Sequence, residues 1–171
     1  DDFPVIGFSI IGKGENINKY NKIKNGDLLF LTGTLGTGLI FSGINNLKID
    51  SFFKLPVLQQ MIEGNRNIGN LFKLINPMSA TDITGYGLAN HLINLMQRSN
   101  EIKGLTINLN KLPIFDGVEL CINKNVKSSF YDQNYNFAKD KIIFEEVKNE
   151  KYQILFDPQT VGGIAFIVSK F

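Results

Sequence analysis

The chain has 171 residues, a net charge of +2, a single cysteine (Cys121), a single histidine (His91) and no tryptophan. That length supports one hydrophobic core without covalent staples. One cysteine and one histidine exclude an internal disulfide framework, a cysteine-based zinc site and a histidine-rich metal centre, and +2 is too small for the electrostatic footprint of a nucleic-acid binder.

Apolar residues make up 43% and charged residues 20%, as in ordinary globular domains. Arg66 and Arg98 are the only arginines, and the remaining cations are lysines. Together with abundant Asn and Ile, this reads as coding bias rather than lysine chemistry. No apolar run approaches the about 20 residues of a membrane-spanning helix. Asp1-Asp2-Phe3-Pro4 lacks a signal-peptide pattern, so a reducing, cytoplasmic setting is expected, without a membrane or nucleic-acid partner.

Phe3 to Ile11 is a nearly continuous apolar run with β-branched residues and predicts a buried strand. After a polar connection, Asp27 to Thr32 predicts a second strand. It runs through Gly33-Thr34-Leu35-Gly36-Thr37-Gly38 into a helix beginning near Leu39. Pro56 to Ile75 carries apolar residues at near-helical spacing and predicts one long helix, ended by Asn76-Pro77. Gly64 and Gly69 weaken it, each costing about 1 kcal/mol in a helix interior.

Tyr86 to Arg98 is strongly amphipathic, with Leu88, Leu92, Leu95 and Met96 on one face. Leu105 to Leu109 alternates like a strand, and Phe115 to Ile122 predicts a short helix. Residues 123–150 read as a long charged connection with room for one element. Tyr152 to Phe156 is apolar, and Ile164 to Val168 is a final strand. Helices and strands mix without strict alternation, which predicts an α+β fold with helices covering a mixed sheet.

Three segments have the makings of a site. Gly33 to Gly38, between strand and helix, is either an anion cradle or a plain tight turn, and it matches neither GxGxxG nor a Walker A loop. Asp82 lies just before Thr84, Gly85 and Gly87 at a helix start. It is either an oxygen ligand for Mg²⁺ beside phosphates or a partner of the helix N-terminus, with Thr84 a candidate N-cap. In Asp157 to Gly163, Pro158 imposes extended backbone and Gly162-Gly163 permits close approach, for a ligand or simply for entry into the last strand. Cys121 and His91 read as a buried filler and a core-edge histidine.

Taken together these segments resemble one family. Ala80-Thr81-Asp82-Ile83-Thr84-Gly85-Tyr86-Gly87-Leu88, followed by His91-Leu92, looks like the ATDVTGFGLLGHL stretch of the selenophosphate synthetases (selenide, water dikinases). Leu155-Phe156-Asp157-Pro158-Gln159-Thr160-Val161-Gly162-Gly163 resembles their DPQTSGG motif. Gly26-Asp27 through Gly38 resembles GDxLxLTKPLGTG. The DPQT-x-GG stretch is the most specific of the three; TDxTGxG is shared with the wider aminoimidazole ribonucleotide synthetase superfamily. The order is the family's, and the resemblance runs from about Ser9 to Val168.

The resemblance implies the family's C-terminal domain, α+β with a mixed sheet in an α/β/α layering. Residues 1–12 would be the exit strand of an N-terminal ATP-binding domain, and residues 13–171 a C-terminal domain stopping short of the family's last portion. It implies synthesis of selenophosphate from selenide, ATP and water, releasing AMP and phosphate, with Mg²⁺ as cofactor. The catalytic Cys or Sec and Lys would lie in the N-terminal domain, so no catalytic residue is expected in this chain and it would be inactive alone. Asp82 would be its metal ligand. Thr84, Gly85, Gly87, Asp157, Gln159, Thr160, Gly162 and Gly163 would line the ATP site. Partners would be ATP, selenide, the N-terminal domain and a second copy joined through that domain.

Departures from the family pattern also stand out. Val161 replaces a Ser, Gly33-Thr34 replaces Lys-Pro, and Gln133-Asn134 stands at an Arg-Asn pair. They leave room for two alternatives, a related ATP-dependent superfamily enzyme or a non-catalytic regulatory paralogue.

Overall fold

The computed structural model describes residues 23–65, 67–97, 104–145 and 150–170, together with Gly7, Ser9, Ile11, Gly12, Ser99 and Glu101. The strand expected over Phe3 to Ile11, and with it the division at residue 12, lies outside the described residues but for isolated positions.

Three strands, β1 (Leu28–Leu31), β2 (Ser79–Asp82) and β3 (Ile164–Val168), form a sheet in the order β1-β3-β2, antiparallel at both junctions. The expected α+β class holds, but the sheet is not mixed. Among the described residues, parallel pairing is confined to the bridge between Leu35 and Ile114. The central position of β3 follows from its sequence. Ile164-Ala165-Phe166-Ile167-Val168 is apolar on both faces, and its three middle residues are buried.

Pairing puts Phe30 opposite Phe166 and Ala80 beyond it. On that face the Phe30 and Phe166 rings stack at 5.6 Å, and Phe72 of α3 (Ile68–Ile75) meets Phe166 edge-on at 5.3 Å. The opposite face carries Leu29 and Ile167, packed with Leu95 of α4 (Gly87–Gln97). Helices therefore cover both faces, as the layering requires.

The main core lies beyond this sheet. There Leu39 and Ile40 of α1 (Thr37–Asn45), Val57 of α2 (Lys54–Glu63), Leu88 and Leu92 of α4, and Val118 and Cys121 of α5 (Val118–Asn123) surround Leu155 and Phe156. Phe156 is fully buried, with Tyr131 and Tyr135 of α6 (Tyr131–Ala138) set edge-on to it. Cys121 is buried in this core, where desolvation pushes its thiol up to about 11, as a filler residue requires.

Several local expectations are corrected. The long helix over Pro56 to Ile75 is two helices, α2 and α3, separated at Gly64, whose φ of 56° and ψ of −150° only glycine adopts readily. Gly69 is accommodated inside α3. Residues 105–109 form no strand and lead into a 3-10 turn at Leu109–Lys111. An alternating pattern becomes a strand only when an edge is there to pair with it. Ser79–Asp82, to which the pattern assigns no element, is a strand because β3 offers that edge. The one element for which the connection over 123–150 left room is α6, as expected. Among the described residues no helix is long and apolar enough to cross a membrane.

Candidate functional site

The antiparallel topology brings the three motif segments to one end of the sheet. β1 and β2 both finish there and β3 starts there, so Thr32-Gly33, Asp82-Ile83 and Gly163-Ile164 are adjacent. The Thr32 amide donates to the Ile164 carbonyl at 3.1 Å, and the Ile164 amide donates to Thr32 Oγ1 at 2.9 Å. Ile83 and the last two glycines of the motif exchange two further bonds, Ile83 N–H to Gly163 O and Gly162 N–H to Ile83 O, each 3.0 Å. Gly163, at φ 78°, lies directly against the Gly33 backbone, where a Cβ on either residue would collide with the other. The double glycine is therefore needed for chain-to-chain contact.

The Asp157 to Gly163 loop turns its polar side chains inward. Gln159, buried, accepts from the amides of Gly36 (2.9 Å) and Thr37 (3.2 Å) through Oε1. Its Nε2 donates to the Asp157 carbonyl and to Asp157 Oδ2. The amide of Thr160 donates to Thr37 Oγ1 at 2.8 Å, and the amide of Gln159 donates to the Thr84 carbonyl at 3.0 Å. Asp157 sits over the next residues of α1, close enough that a Cβ on Gly38 would lie 2.6 Å from its Oδ1. Burial pushes the Asp157 carboxyl up to about 6. Ser128, Gln159 and the amides of Leu39 and Gly38 pull the other way.

The DPQT segment thus caps α1, supplying oxygens to the amides that every helix start leaves unpaired. Of the two readings of Gly33 to Gly38, the tight turn describes this chain: the amides at its helical end already have protein acceptors. The Gln159 amide oxygen is that acceptor for Gly36 and Thr37.

The Asp82 to Gly87 segment is built differently. Asp82 ends β2, paired with Ile164, and is exposed. Gly85 and Tyr86 are exposed as well, while Gly87 is buried at φ 73°, where a Cβ would press on the Leu155 carbonyl at 2.9 Å. Thr84 does not cap α4. Its amide and its hydroxyl both lie 3.1 Å from His91 Nε2. Burial lowers the His91 pKa, with the Asp82 charge opposing. Asn134 ties this segment to the DPQT loop, its Nδ2 donating to the carbonyls of Gly85 (2.9 Å) and Phe156 (3.0 Å).

Of the expected site residues, Asp82, Gly85 and Thr160 are exposed and Thr84 is half-buried. Gly87, Asp157, Gln159, Gly162 and Gly163 are buried against the protein itself, with Asp157 Oδ2 bonded to Gln159 and its Oδ1 buried without a hydrogen bond. Sequence reasoning missed Gln60 altogether; it read His91 as a core-edge histidine and noted Asn134 beside Gln133, without the hydrogen bonds that either makes. Gln60 grips the first loop, accepting from the Thr34 amide at 2.9 Å and donating to the carbonyls of Thr34 and Val161. Nothing in the sequence sets it apart from its neighbour Gln59.

Asp82 suits a hard cation, being an accessible carboxylate at a sheet end. Among the described residues no group of three or more His, Cys, Asp or Glu could hold a metal ion, so this domain does not form a complete protein metal cage.

Fold and site together define an α+β domain whose loops are interlocked at one sheet end and present one carboxylate to the outside. No family model matches the chain. It is similar to curated selenide, water dikinases: 29% identical to that of Caldanaerobacter subterraneus and 29% to that of Treponema denticola, each over 99% of this chain. That of Campylobacter jejuni is 29% identical over 96% of it. The chain spans about half the length of these relatives, 49%, 48% and 47% respectively. The resemblance drawn from three short motifs therefore holds across nearly the whole chain.

Proposed function

We propose that this chain is the C-terminal domain of a selenide, water dikinase, a phosphotransferase that makes selenophosphate from selenide, ATP and water. The observation that carries this reading is the convergence of all three motif segments at one sheet end, with Asp82 exposed beside the interlocked Ile83, Gly162 and Gly163. Phosphoryl transfer needs cations to neutralise the phosphates and a fixed geometry around them. In this reading Asp82 supplies one Mg²⁺ ligand. Thr84, Gly85 and Thr160 belong to the accessible wall of the ATP site, and Gly87, Asp157, Gln159, Gly162 and Gly163 hold that wall in shape. Mg²⁺ would neutralise phosphate charge. The remaining ligands and the nucleophile come from an N-terminal domain, through which the enzyme also dimerises, in the cytoplasm.

Asp82→Asn in the full-length protein tests this. The amide keeps the size and loses the charge, so Mg²⁺-dependent ATP binding and selenophosphate formation fall by at least about tenfold while the melting temperature holds. Unchanged Mg²⁺ dependence would return Asp82 to a purely structural role. The chain alone is expected to neither hydrolyse ATP nor form selenophosphate, and turnover by a clean preparation would contradict its role as a partial enzyme.

A further inference from the structure

His91 lies in the second turn of α4, and both of its ring nitrogens face the segment that leads into that helix. The Thr84 amide reaches Nε2 at 3.1 Å. A backbone N–H can only donate, so Nε2 accepts, and the neutral ring carries its proton on Nδ1. Nδ1 lies 3.4 Å from Thr81 Oγ1. That hydroxyl donates its one proton to the Asp82 carbonyl at 3.3 Å, which leaves its oxygen to accept from Nδ1–H. The bonds run in one direction, from the Thr84 amide through the imidazole and the Thr81 hydroxyl to the Asp82 carbonyl. The ring thus spans Asp82, bonded to the residue before it and to the second residue after it. Tyr86 lies edge-on to the ring, 6.0 Å between centroids, on the same segment.

We propose that His91 is a positioning residue: from α4 its neutral imidazole ties the Thr81 hydroxyl to the Thr84 amide across Asp82 and fixes the direction in which that carboxylate leaves the sheet. It acts through Thr81 and Thr84 and touches no substrate. The consequence for Mg²⁺ rests on the reading of Asp82 as a metal ligand, whereas the tie itself does not. Leucine in place of His91 would fill the space and leave the Thr84 amide without its acceptor. Glutamine would restore an acceptor oxygen on a side chain of similar reach.

The experiment uses the full-length protein. Imidazole ¹⁵N shifts, assigned to His91 by their loss in His91→Gln, should show the Nδ1-protonated tautomer; an Nε2-protonated ring overturns the proposal. Amide hydrogen exchange at Thr84 and Gly85 should quicken about tenfold in His91→Leu and return to within about threefold of wild type in His91→Gln. The Mg²⁺ concentration for half-maximal ATP binding should rise about tenfold in His91→Leu and recover in His91→Gln. Wild-type exchange in His91→Leu, or a glutamine variant no better than leucine, makes the residue mere packing and overturns the proposal. If His91→Leu does not fold, His91→Asn, one methylene too short to reach Thr84, takes its place in the same comparison. Asp82→Asn run in parallel separates the two readings. If it leaves the Mg²⁺ requirement unchanged, the metal role of Asp82 fails, and tautomer and exchange still decide on His91. If it raises that requirement and His91→Leu does not, the proposal fails alone.

Discussion

Asp157 is completely buried and has its carboxyl pushed from an ordinary 3.8 to about 6 by desolvation. The folded chain therefore binds this proton more tightly than the unfolded chain does. The stability the group contributes is complete below about pH 4 and is lost as pH rises through about 6. The difference between 3.8 and about 6 corresponds to about 3 kcal/mol. Asp157→Asn has no charge to gain, so whatever the amide costs in geometry is constant over that range. Urea midpoints measured from pH 3 to pH 8 should show wild type losing about 3 kcal/mol relative to the variant. Tyrosine fluorescence is a fitting probe, since the chain lacks tryptophan and Tyr131 and Tyr135 pack on Phe156, next to Asp157. The difference between the two proteins carries the test, because other carboxylates titrate equally in both. Parallel profiles would mean that the helix amides and Ser128 fully offset burial, and the reasoning would fail.

Other substitutions probe the same interlock. Gln159→Leu leaves the amides of Gly36 and Thr37 buried without their acceptor and should cost about 3 kcal/mol in the same urea assay. Val161 sits at φ 57°, a left-handed conformation that a β-branched residue resists, so Val161→Asn should stabilise by about 1 kcal/mol. Cys121, fully buried with its thiol pushed up to about 11, should react with a thiol reagent at least about a hundredfold more slowly in the native chain than in urea.

Much of the local structure is legible in the chain. The apolar run Ile164 to Val168 had to be an interior strand, and the spacing of Leu88, Leu92 and Leu95 had to be one face of a helix. Boundaries set by backbone conformation were less so. Gly64 breaks a helix while Gly69, five residues on, does not. The difference lies in φ and ψ, which the surroundings select. Thr84 shows the same limit from another side. Its place before a helix is that of an N-cap, but an imidazole one turn further along takes its bonds instead.

The sequence by itself determined most of the helices, the strands β1 and β3 and the three glycine-bearing segments with Asp82 in one of them, because periodicity, charge and glycine are local properties. Tertiary structure decided what those segments are for. Gln159 and Asp157 read as loop residues open to a ligand, yet they close over α1, more than a hundred residues earlier in the chain. An unpaired helix amide takes the best acceptor that packing brings near, and packing brought a glutamine. Asp82, by contrast, is left exposed because β2 ends where β3 begins, and among the described residues it belongs to no group of three or more metal-ligating side chains.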